Sequence, residues 1–105
     1  MMKKIKSLVV KKFKNKKPSL FVATGANAFW VHQGPVLRSL ADLANFLEIM
    51  TEEQFAYHIQ RNGNDFARWV AEVIQDKVCA AALARAKTRA AALTATRRAL
   101  VRYDV

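Results

Sequence analysis

Phe66, Trp69, Val70, Val73 and Ile74 fall at i, i+3, i+4, i+7 and i+8, the spacing that gathers apolar side chains on one face of an α-helix and that no period-two strand reproduces. A helix is therefore required here, and Asn64 or Asp65 stands ready to cap its start. Two further helices are predicted upstream. Ser39 precedes Asp42 by three residues and opens the apolar series Leu40, Leu43, Ala44, Leu47 and Met50, which predicts a helix over about 40–50 with a capping-box-like start. Thr51 and Gln54 repeat that pattern before a shorter helix with Phe55 and Ile59 on its buried side, ended by Arg61, Asn62 and Gly63.

On either side of this helical centre the sequence changes character. Leu20 to Thr24 and Ala28 to His32 are short β-prone runs around Gly25 and Asn27, which predicts a small hairpin ending at the Gln33, Gly34, Pro35 turn. Downstream, ten alanines lie between Ala80 and Ala99 with no glycine or proline, so helix propensity is high. One helix from Lys77 to Tyr103 would be about 40 Å long, with a thin apolar stripe of Ala82, Ala86, Ala90, Leu93 and Leu100 interrupted by Arg97. The expected fold is thus mainly α: a small N-terminal β-hairpin, three short helices and one long, basic, Ala-rich C-terminal helix. The expected organisation is a lysine-rich tail or amphipathic helix over 1–18, a compact core over 19–76 and the basic helix over 77–105.

Charge is segregated along the same divisions. Residues 1–41 hold nine basic groups and no acidic one, residues 42–76 hold seven acidic and two basic, and residues 77–105 hold seven basic and one acidic. An acidic middle therefore separates two cationic ends, and attraction between them at low salt is open from the sequence. Within the first segment Ile5, Leu8, Val9 and Phe13 follow a helical spacing amid lysines. The apolar run Leu8 to Val10 is too short for a signal-peptide core or a membrane span. The single cysteine, Cys79, cannot form an internal disulfide and fits a reducing, cytoplasmic setting.

No pattern for catalysis emerges. His32 and His58 lie in different predicted elements, and neither has a cysteine or second histidine at ligand spacing, so no metal and no cofactor is expected. His58, beside Tyr57, reads as a partly buried structural residue rather than a general base. Glu52, Glu53 and Asp65 stand at helix starts, where they complement the macrodipole. The run Asn62 to Asp65 lacks the downstream bidentate glutamate of a calcium loop. Trp69 belongs to a core face. Trp30 follows Phe29, so on a strand the two point to opposite faces, and Trp30 is the aromatic singled out as a possible contact.

The motifs over residues 38–76 resemble a prokaryotic family of small domains of unknown function with SLxxLxxxL, FxxH and NDFAxW patterns. Ser39, Leu40, Leu43, Leu47, Phe55, His58, Asn64, Asp65, Phe66, Ala67, Trp69 and Val73 carry the resemblance. It implies a fold module and supplies no activity, and both cationic ends lie outside it.

The leading functional expectation is non-catalytic, largely sequence-independent binding of nucleic acid, DNA or RNA, through both ends. The expected contacts are Lys3, Lys4, Lys6, Lys11, Lys12, Lys14, Lys16 and Lys17, followed by Arg85, Lys87, Arg89, Arg97, Arg98 and Arg102. Two alternatives stay open. Ile5, Leu8, Val9 and Phe13 amid lysines suit an anionic membrane surface, and Ala82, Ala86 and Ala90 permit close approach of a second copy through the C-terminal helix.

Overall fold

A computed structural model describes residues 17–60 and 63–104. The amphipathic stripe of Ile5 to Phe13 and the helix-ending residues Arg61 and Asn62 lie outside that range. The described chain is mainly helical with a two-stranded antiparallel hairpin near its start, as the sequence predicts. Strand β1 (Phe29–Trp30) pairs with β2 (Val36–Leu37), Phe29 opposite Leu37 and Trp30 opposite Val36. Helices α1 (Leu40–Leu47) and α2 (Glu52–Gln60) follow. Then come α3 (Asp65–Trp69), which widens into a π turn over Val70–Ile74, α4 (Lys77–Arg85) and α5 (Arg89–Leu100).

The local start signals act as their chemistry dictates. Ser39 Oγ accepts from the Asp42 backbone N–H, while the Asp42 carboxylate accepts from the Arg38 N–H. Thr51 and Gln54 form the reciprocal pair of a capping box. Asn64 Oδ1 accepts from the Ala67 N–H, so Asn64 is the cap and Asp65 the first helical residue.

The hairpin corrects one expectation. Its strands flank the His32 to Pro35 turn, and Leu20 to Thr24 is not a strand. The N–H groups of Asn27 and Ala28 bond back to the carbonyls of Thr24 and Gly25 in a tight 3-10 turn, so they cannot serve a ladder. Only Ala23 reaches across, donating to the Arg38 carbonyl. The true turn is closed by Val31 N–H to Pro35 O and Gly34 N–H to Val31 O, with Gln33 at φ 55. Position 34 must be small, because a Cβ there would meet Val31 Cγ1 at 2.8 Å.

A second correction concerns the C-terminal helix, which is two helices instead of one. Ala86 leaves helical geometry at φ −80, ψ 114, and Thr88 restarts the helix by accepting from the Ala91 N–H. A straight rod would carry its second half away from the core. The break lets α5 fold back so that Ala92, Thr96 and Ala99 are buried, with α5 packed on both α1 and α4. The buried stripe is therefore displaced from the predicted one: Ala86 belongs to it, while Ala90 is exposed. Thr96 satisfies its buried hydroxyl by donating to the Ala92 carbonyl. Thr88→Ala, which removes the restart cap, is expected to lower stability by about 1 kcal/mol in a denaturant titration. An unchanged midpoint would mean that packing alone sets the break.

The core runs through all five helices. Leu40, Leu43, Leu47, Phe66, Val70 and Leu83 are fully buried. Phe29 brings the hairpin into the same cluster, its ring 5.1 Å from Phe66 and 5.6 Å from Trp69. The two ends of the described chain also meet: the Asp104 N–H donates to the Pro18 carbonyl at 2.8 Å, next to a parallel bridge between Ser19 and Asp104.

Candidate polyanion-binding surface

The Pro18–Asp104 junction places the end of the lysine-rich segment beside the end of α5. Lys17 is exposed there, while Lys3, Lys4, Lys6, Lys11, Lys12, Lys14 and Lys16 precede the described residues. Of the C-terminal cations expected to contact phosphate, the fold separates two groups. Arg89 is half-buried: its guanidinium bonds Glu52 and donates to the carbonyls of Leu47 and Glu48, satisfying carbonyl groups at the end of α1. Arg97 pairs with Glu48, and Arg102 with Asp76 at 3.1 Å. The acidic middle thus does dock on the basic C-terminal segment, through three specific pairs. Arg85, Lys87 and Arg98 are exposed and make no ion pair among the described residues.

Between α4 and α5 lies an open groove of about 480 Å³, with Ala82, Ala86, Ala91, Ala95 and Ala99 among its lining residues. Arg85, Arg98 and Arg102 also line it. The small side chains follow from the alanine-rich composition, and the groove exists because the chain breaks at Ala86. An uninterrupted helix would have no facing wall.

At the far end of α4, Asp76 ties the two C-terminal helices to the core. Its side chain is 3% exposed and caps α4 through the Cys79 N–H at 2.9 Å. It also accepts from the Tyr103 hydroxyl at 2.6 Å and from Arg102. Burial works to raise its pKa, but the bonds from Tyr103 and Cys79 and the Arg102 charge outweigh it and hold the carboxyl below its ordinary value. Burial, helped by the Asp76 charge, pushes the Cys79 thiol up to about 12, so this cysteine is a poor nucleophile at neutral pH.

The histidines are placed as structural groups. His58 is 4% exposed. Its Nε2 accepts from the His32 backbone N–H at 3.0 Å, which puts the proton on Nδ1 for the 3.0 Å bond to Asp65. Both ring nitrogens are thereby engaged. His32 stacks flat on Tyr57 with centroids 3.7 Å apart. Among the described residues no group of three or more histidines, cysteines or carboxylates is arranged to hold a metal, and no helix is long and apolar enough to cross a membrane.

On the hairpin, alternation sorts the aromatic pair as the sequence suggests. Phe29 is buried at 7% exposure and Trp30 is open at 66%. Sequence reasoning missed the role of Asp76 and, beyond its capping bond with Thr51, a second role of Gln54. Gln54 Nε2 donates to the carbonyls of both His32 and Gln33, a clamp between residues more than 20 apart that no local pattern announces. Asn64 likewise reaches the Leu83 carbonyl.

No protein-family model matches the chain, and neither a curated protein nor a solved structure does. The motif residues His58, Asn64, Asp65 and Trp69 nevertheless have physical roles inside this fold, each being hydrogen-bonded to another element or to a neighbouring helix turn.

Proposed function

We propose that this chain is a non-catalytic protein that binds nucleic acid with little sequence preference, its two cationic ends gripping phosphates together. The observation that carries this reading is the Pro18–Asp104 junction. It joins a segment of eight lysines and no acidic residue to the helix that bears Arg98. Lysines act as point charges on phosphate and release counterions without reading bases. The absence of catalysis is supported by the engaged nitrogens of His58 and the raised pKa of the buried Cys79.

The division among the arginines sharpens the expected contacts. Arg85, Lys87 and Arg98 are offered to a ligand, whereas Arg89 serves the end of α1. Titration into duplex DNA and structured RNA across salt should give a log K against log salt slope of about −5 for six phosphate contacts on duplex DNA. Changing all eight N-terminal lysines to glutamine should flatten that slope and weaken binding at least about 30-fold at low salt. Arg98→Gln should reduce the slope by about 1. Arg89→Gln should lower thermal stability and leave the slope unchanged. Absence of binding at low salt overturns the reading, and binding only to anionic vesicles replaces it with a membrane-surface role.

A further inference from the structure

We infer that the outward face of the β1–β2 hairpin is a stacking site for a base of single-stranded nucleic acid, with Trp30 as the platform and Arg38 as its phosphate contact. The inference rests on the nucleic-acid reading above and adds to it the strand state and a site away from the basic ends.

Trp30 is 66% exposed, while Phe29, Phe55, Phe66 and Trp69 are buried. Burial of the strand does not require an indole at this position. The partner strand supplies the second element. Trp30 lies opposite Val36, and Arg38, two residues beyond Val36 and just past the end of β2, continues the outward alternation at a diagonal separation that long side chains span. Arg38 is exposed, and its guanidinium has no carboxylate partner among the described residues. Its backbone N–H is what engages the Asp42 carboxylate. An exposed ring with an exposed cation near it in the hairpin is the pair of groups a nucleotide recognises: base on the aromatic face, phosphate on the charge.

The site is also held still. Phe29, the neighbouring residue, packs among His58, Phe66 and Trp69. Trp69 Nε1 donates to the Asn27 carbonyl, and Gln54 clamps the turn. A platform fixed in advance loses little entropy on binding. The other exposed apolar residues of this region, Phe21 and Val22, are separated from Trp30 in the sequence by the exposed polar residues Thr24 and Asn27. Such interruption suits one or two stacked bases better than insertion into lipid. Bases inside a duplex are already stacked, so Trp30 contributes to single strands alone.

The test uses the full chain and follows tryptophan emission, in which the exposed Trp30 and the buried Trp69 are distinguished by a Trp30→Phe variant. Oligothymidine of about 15 nucleotides should quench the Trp30 component to saturation. Trp30→Ala should weaken binding to that strand about tenfold and leave duplex affinity unchanged, and Trp30→Phe should restore most of the loss. Arg38→Gln should weaken single-strand binding and lower its salt slope by about 0.7. If the chain binds both forms but Trp30→Ala changes neither, the stacking site is overturned while the polyanion reading stands. If neither form binds at low salt, both fall. A blue shift of Trp30 on phosphatidylglycerol-rich vesicles without quenching by the oligonucleotide makes the hairpin a lipid contact and overturns the proposal.

Discussion

Asp76→Ala is expected to lower the unfolding free energy by about 3 kcal/mol, combining a lost helix cap with hydrogen bonds to a charged acceptor. The residue caps α4 and receives both Tyr103 and Arg102 from just past the end of α5, so its loss loosens the corner next to the contact between Pro18 and Asp104. Urea titration measures the effect, and a loss under about 1 kcal/mol would mean that the corner is held by apolar packing instead.

The same group sets a pH dependence at the acid end. Because the folded-state pKa of Asp76 lies below its ordinary value of 3.8, the carboxylate stabilises the fold at neutral pH. That stabilisation is lost as the pH falls through the lowered value. At the alkaline end the sign reverses in origin. Burial and the bond to Asp76 raise Tyr103 from 10.0 to about 12, and Cys79 rises from 9.0 to about 12. Their neutral forms belong to the folded state, so stability declines between pH 9 and about 12 as the unfolded chain gives up protons first. Tyr103→Phe should remove the tyrosine part of that decline.

Phe66→Ala is expected to cost about 3–5 kcal/mol, a large share of the stability of a domain this small. The ring is fully buried, stacks on Phe29 and Phe55 and meets the His58 ring at 5.2 Å. Since Phe29 anchors the hairpin through this cluster, the substitution should also free Trp30, visible as a fall in its fluorescence anisotropy. The chemical midpoint should drop with little change in the denaturant slope. A stability change under about 1 kcal/mol would show that the site collapses around the deletion.

The parts of the fold legible in the sequence were those decided within a few residues. Ser39 with Asp42, Thr51 with Gln54, and the apolar face from Phe66 to Ile74 are local patterns, and each produced its helix start or face. The hairpin was legible as a hairpin but not in its pairing. Gly25 with Asn27 and Gln33 with Pro35 are both turn-prone, and the choice between them involves Gln54 and Trp69, which arrive from distant helices. The break at Ala86 was hidden for a related reason. An alanine run is equally content in one helix or two, and Thr88 alone is a weak stop signal.

Along the chain, then, composition and spacing determined that the protein is mainly helical and that its middle is acidic between basic ends. They also determined that Phe29 and Trp30 face opposite ways, because alternation is a property of the backbone itself; which of the two is buried was decided by the packing of Phe29 on Phe66 and Trp69. Only the tertiary structure decided which arginines are internally paired, where the C-terminal helix folds back and that Pro18 meets Asp104. Those outcomes depend on burying faces of α1 and α4 against α5, a free-energy gain that exists only when segments distant in sequence are in contact.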